Sequence, residues 1–248
     1  MEELSIVYEG FYRRLNTFLD FNKVSYEELS NKIGAILKRR EHPLKTRKFS
    51  MGSRSQMEMM EVLPAIDKDS LKIIEFLCPY DQKNREYLEI KELTFEVNQL
   101  SQTDQWKNAQ QLISKYATIT TPIQDMNILH FANLEILLNT LSSQNVDYLR
   151  INLLKSTTLQ KFKIFFWRSE IDESLHTLIG EPFRNFSNLK KVWYFRIENT
   201  NDYIHIVLDT SNIEDTYGNL KPKLIIFTRV AKEDTPFFEL PMNQLMIS

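Results

Sequence analysis

The sequence predicts an α/β protein: an open, repeat-like stack of helix–strand units, similar to a leucine-rich repeat, with an N-terminal β-hairpin and a β-rich C-terminal end. Three observations predict it. Apolar runs of strand length begin near Leu44, Leu71, Leu112, Leu134 and Leu159, at intervals of roughly 20–40 residues, the period of stacked supersecondary units. Between most of them lie segments whose apolar residues recur at helical spacing. No glycine- or proline-rich linker interrupts the run, so one continuous domain over 1–248 is expected, with the hairpin at 1–25, helix–strand repeats at 26–190 and the β-rich end at 191–248. A helix–strand unit cannot bury its apolar face alone, which is why neighbours would stack.

The elements follow in order. Leu4, Ile6 and Tyr8 alternate with polar neighbours, and 18–24 has similar content, so the two are expected to pair across 10–14. Ser25 with Glu28 reads as a capping box, opening a helix striped by Leu29, Ile33, Ile36 and Leu37 that fades near Arg40. A strand is expected at 44–51. The methionine-rich segment 55–63 is helical in period and is broken by Pro64. Strands follow at 71–77 and 87–90, a helix at 104–109, and an extended segment at 112–121. Segment 134–141 is apolar enough for either strand or helix. Residues 142–145 cap a helix through Val146, Leu149, Leu153 and Leu154, followed by a strand at 159–167. A helix at 171–179 stops at Gly180, with Pro182 beyond. Strands at 192–197, 203–208 and 224–230 complete the chain, the first two joined by a turn at 199–202.

Composition excludes several function classes. Apolar residues make up 42%, charged residues 26%, and the net charge is −2, which marks a folding chain and argues against a general polyanion binder. Cys78 is the only cysteine, so no intrachain disulfide or Cys-based zinc site can form, and a reducing compartment is expected. The start of the chain lacks the basic and apolar regions of a signal peptide. No apolar run reaches the length of about 18 residues that a membrane span needs. The expected location is therefore intracellular, cytoplasmic or nuclear, and the sequon at Asn185 is expected to be idle. The 5 glycines are too scattered to build a phosphate-cradling loop, so no nucleotide cofactor is expected.

No catalytic, metal or cofactor constellation emerges. His176 lies four residues after Asp172, beside Glu173, and two ligands on one helix face still want a third. His130 reads as packed or capping, and His205 as the polar side of a strand. No serine sits in a nucleophile elbow, and Cys78 reads as a buried structural thiol. The sharpest anomaly is basic: Lys38, Arg39, Arg40, His42, Lys45, Arg47, Lys48 and Arg54 are opposed only by Glu41. A solvated surface explains this better than nucleic-acid binding through 38–54, which is the alternative function and lacks the interleaved aromatics of a single-strand binder. Aromatic runs at 162–167 and 193–195 lie on strands, where successive side chains alternate faces. Exposed aromatics beside arginine are typical of protein-binding hot spots, which nominates Trp167, Arg168, Trp193 and Arg196 as partner-binding residues.

Ordered phrases then add a family. Segment 103–109, with Gln105-Trp106-Lys107 and Ala109, resembles the signature of the FTH domain found in a large nematode family of F-box proteins. The phrases 130–134, 141–143, 147–150, 153–156 up to Phe162, 193–197 and 225–229 resemble that domain's central and closing phrases in the same order. The likeness extends back to 18–26 and 33–38. It implies a domain that holds a protein substrate for a cullin-type ubiquitin ligase, performs no chemistry itself and needs no cofactor. The F-box that grips a Skp-type adaptor would precede the hairpin, and no such segment stands before Ser5, so adaptor binding is not expected of this chain. The expected partner is a protein of unnamed identity, with no membrane and no nucleic acid.

Overall fold

The computed structural model describes residues 3–6, 26–77, 80–81, 86–87, 93–187, 189–211 and 221–236. The chain gathers into two compact units, 1–139 and 140–248. The first contains β1 (Glu3–Ile6), α1 (Tyr26–Lys38), β2 (Lys48–Gly52), α2 (Gln56–Val62), β3 (Ile73–Leu77), β4 (Tyr80–Asp81), β5 (Glu86–Tyr87), β6 (Thr94–Phe95), α3 (Asp104–Asn108) and β7 (Gln111–Ile119). It ends in β8 (Asn133–Ser142), whose last residues carry the chain into the second unit. Strands β1, β2, β3, β7 and β8 lie side by side in that order, every pair parallel, with β6 parallel to β7. Strands β4 and β5 form a separate antiparallel pair. Parallel neighbours need crossovers rather than tight turns, and α1, α2 and α3 lie in three of those crossovers.

The register shows what the alternating pattern was for. Phe49, Ile74, Leu112 and Leu134 are successive partners across four strands, and Met51, Phe76, Ser114 and Ile136 form the next row. All of them are buried. Residues between them point to the opposite face, where polar contacts dominate. Ser50 donates to Glu75 at 2.9 Å, and Lys48 meets Glu75 at 2.9 Å and Glu3 at 3.3 Å. Pairing with β7 decides the ambiguous leucine-rich segment in favour of a strand, β8.

The strand foreseen at 44–51 starts only at Lys48, because Leu44 makes a single bridge to Ile66. The methionine-rich helix stops at Val62, ahead of Pro64 as expected; Pro64 sits in a 3-10 turn, Leu63–Ala65, where its missing N–H costs little. The described first strand pairs in parallel with β2; the expected hairpin partner at 18–24, the Ser25 cap and Cys78 lie outside the described residues.

Helices α1 and α2 pack closely at Gly34, where a Cβ would stand 2.4 Å from the Glu61 carbonyl oxygen. That oxygen is backbone and cannot swing away. Gly34→Ala should therefore cost about 1–3 kcal/mol by pushing the helices apart, outweighing alanine's better helix propensity. A denaturant midpoint equal to or above that of the wild type would contradict this packing.

The second unit contains α4 (Ser143–Leu153), β9 (Lys161–Glu170), α5 (Ser174–Ile179), β10 (Arg184–Ser187), β11 (Lys190–Arg196), β12 (Asp202–Asp209) and β13 (Lys223–Ala231). Its strands run antiparallel in the order β9, β13, β12, β11, β10. Strand β10 was not foreseen, being short and polar. The capping of α4 was: Ser142 Oγ accepts from the Asn145 N–H, and Asn145 Oδ1 accepts from the Ser142 N–H, both at 3.2 Å. Gly180, at φ +83°, closes α5 in a conformation that favours glycine. The β11–β12 turn holds Asn199 at φ +58°, which asparagine tolerates better than most side chains. Phe162, Phe227, Ile206 and Trp193 align across four strands as one buried row.

Candidate functional site

The residues of the signature phrase turn inward. Thr103 caps α3, accepting from the Trp106 N–H. The Gln105 amide is buried and donates to the carbonyls of Ile66 at 2.7 Å and Pro64 at 3.3 Å, tying α3 to the turn after α2. Trp106 is fully buried, its ring 5.5 Å edge-on from Phe131, and its indole N–H donates to the Asn127 carbonyl at 3.1 Å. Lys107 is exposed and Ala109 buried. This segment is a structural clamp.

The histidines take structural positions too. His130 Nε2 donates to the Trp106 carbonyl at 2.9 Å. Burial pushes its pKa below the usual imidazole value, against the opposing pull of the Trp106 and Asn127 carbonyls. His205 stacks on Tyr194 with ring centres 4.6 Å apart, and burial likewise lowers its pKa. Both folded values lie below that of the unfolded chain, near 6.5. Their stabilising contribution is therefore complete above about pH 6.5 and is lost as pH falls through the folded values. The melting temperature should drop as pH falls below about 6.5, and His205→Phe should reduce the drop. A flat profile would contradict both assignments.

The Asp172, Glu173 and His176 group does not converge as ligands. Asp172 accepts hydrogen bonds from the Ser174 hydroxyl and backbone N–H and from the Ser143 hydroxyl, which together hold its pKa down. His176 lies between the Lys191 ammonium and the Glu181 carboxylate, each at 2.8 Å. Among the described residues, no group of three or more His, Cys, Asp or Glu is placed to hold a metal ion.

The basic stretch is partly compensated. Lys38 meets Glu61 at 2.7 Å, and Lys48 is shared by Glu75 and Glu3, whose contacts raise its pKa. Arg39, Arg40, His42, Lys45 and Arg47 are exposed.

Of the four nominated partner-binding residues, the structure does not make one patch. Trp193 is only 2% exposed, and its indole N–H donates to the Gly180 carbonyl at 2.9 Å. It belongs to the core, a correction to its expected outward role. Register explains why: Trp193 shares a face with Phe162, whereas Trp167 alternates onto the other face of β9. Trp167 is half-buried and Arg168 exposed. Arg196 is exposed and lines a cleft at the end of the sheet.

That cleft is the strongest candidate surface. It has a volume of about 510 Å³ and is lined by Arg150, Lys155, Arg196 and Arg229, by the apolar Ile151, Leu154 and Ile197, and by Glu198 on the acidic side. Arg150, on α4, is gripped by Asp147 through Nε at 3.1 Å and Nη2 at 2.6 Å, and its guanidinium stands 5.2 Å from the centre of the Phe195 ring. Arg229 donates through Nε to Asp202 at 2.6 Å and through Nη1 to the Thr157 carbonyl at 3.4 Å. Two guanidinium groups are thus held in fixed orientations by aspartates, a preorganised arrangement for an anionic group. Only Arg196 among these was singled out from sequence. Lys155, Arg150 and Arg229 stand in the phrases 153–156, 147–150 and 225–229 that carried the resemblance, and the Asp147–Arg150 spacing on one helix face was the available signal.

A family model described as the FTH domain matches residues 27–180, more than half of the chain and parts of both units. No curated protein and no solved structure matches the chain. No described helix is long and apolar enough to cross a membrane.

Proposed function

The chain belongs to the FTH-domain family, and on that premise we propose that it is a protein-binding domain rather than an enzyme, its partner being a protein substrate. The family match over 27–180 carries the reading, since this domain is associated with F-box proteins, which present targets to cullin-type ubiquitin ligases. The inward-facing signature supports it: Gln105 and Trp106 are spent on holding the scaffold, which leaves recognition to surface side chains. On this reading the parallel unit is a repeat-like scaffold, the domain extends over 1–248, and the protein works inside the cell. Presentation to a ligase is the role of an F-box and its Skp-type adaptor; target binding is the role assigned to this chain. We set nucleic-acid binding aside because Lys38 and Lys48 already have acidic partners.

Affinity capture from extract of the source cells tests the proposal. The native chain should retain the same protein reproducibly, and heat-unfolded bait should not. Equal recovery on both baits, or recovery of nucleic acid alone, would overturn it.

A further inference from the structure

We propose that the cleft between α4 and the β11–β12 turn is a recognition site for an acidic side chain flanked by aliphatic residues on the protein partner, an inference that rests on the protein-binding reading. The cleft combines the two features such a segment needs. Its apolar lining is real surface: Ile151 is 40% exposed although it is a large aliphatic residue on a helix. Around it stand four cations contributed by three separate stretches of chain, α4 with the loop after it, β11, and β13.

The charges are not equivalent. Arg150 and Arg229 are each paired with an aspartate, so they add orientation and donors more than net charge. A guanidinium has five N–H donors. The contacts with Asp147 use Nε and Nη2 of Arg150, and those with Asp202 and Thr157 use Nε and Nη1 of Arg229. The Nη1 group of Arg150 and the Nη2 group of Arg229 therefore have no partner among the described residues. Arg196 and Lys155 are exposed and have no ion pair among the described residues, so they supply net positive charge against Glu198 alone. A carboxylate entering here meets two oriented donors and two exposed cations, while neighbouring aliphatic side chains cover Ile151 and Leu154.

Nucleic acid fits less well. The lining has no aromatic ring on which a base could stack, and the nearby Phe195 ring is already faced by Arg150. Glu198 would oppose a run of phosphates more strongly than a single carboxylate, because more negative charge would face it.

The test uses the full chain and a random-sequence peptide display library. Selected peptides should be enriched in Asp or Glu next to Leu, Ile or Val. As synthetic fluorescent peptides, they should bind with affinity that falls as salt rises. The double variant K155E/R196E should weaken that binding about tenfold or more, because like charges would then face each other, with its melting temperature unchanged. The double variant R39E/R40E, in the other unit, should bind as the wild type does. Selection of peptides without acidic residues would overturn the proposal. So would equal binding by K155E/R196E, loss of binding in R39E/R40E, or displacement of the peptide by a single-stranded oligonucleotide at lower concentration. If K155E/R196E still captures the wild-type partner from extract, the cleft is not the site, and the protein-binding reading stands without it.

Discussion

Trp106→Ala should destabilise the first unit by about 3–5 kcal/mol, the range for deleting a buried aromatic side chain. The indole is completely buried against Phe131 and Phe76, so the void cannot be filled by solvent-exposed neighbours. The loss also removes the buried hydrogen bond from the indole N–H to the Asn127 carbonyl. Trp106→Phe separates the two terms. It keeps most of the ring and loses the hydrogen bond, whose net worth is about 0.5–1.5 kcal/mol, so it should cost less than the alanine variant. Urea unfolding with an unchanged slope and a lowered midpoint is the measurement. A loss under about 1 kcal/mol for the alanine variant would mean that the signature tryptophan is not the clamp described here.

The second large effect is expected at Trp193. Trp193→Ala should cost a similar amount, about 3–5 kcal/mol, because the side chain completes the buried row with Ile206, Phe227 and Phe162 and anchors the Gly180 carbonyl. Trp167→Ala should cost far less, since Trp167 is half-buried on the other face. Equal effects at the two tryptophans would contradict the register of β9, β13, β12 and β11. Capture of the partner by Trp167→Ala then reads surface recognition without a folding defect, which Trp193→Ala cannot.

Much of this architecture was legible in the sequence because it rests on local patterns. The apolar run 71–77 and the alternation in 203–208 marked β3 and β12, Ser142 and Asn145 marked the cap of α4, and Gly180 marked the end of α5. What failed depended on distance. Periodicity could not show that Leu44 would bridge only Ile66, nor that 184–187 would be drawn into a strand by pairing with β11. Leucine-rich β8 has no intrinsic preference strong enough to decide its state; β7 decided it.

The candidate site was legible only in part, for the same reason. Alternation said that one of two adjacent aromatics must face inward, but not which one. Across the register, Trp193 falls into line with Phe162 and so became core. Arg196 was found beside an aromatic run, whereas its companions Arg150 and Arg229 lie on other elements and acquire meaning only when folding brings them to one cleft. The Arg229–Asp202 pair, 27 residues apart, illustrates the limit of spacing arguments.

Photo-crosslinking at the cleft tests the central claim most directly. With a photoreactive residue in place of Ile151, the folded chain should form a protein adduct in cell extract, and the adduct should fade with rising salt and with K155E/R196E. The same residue in place of Arg40, on the exposed basic stretch, should form none. A nucleic-acid adduct from position 40 with no protein adduct from position 151 would contradict the account.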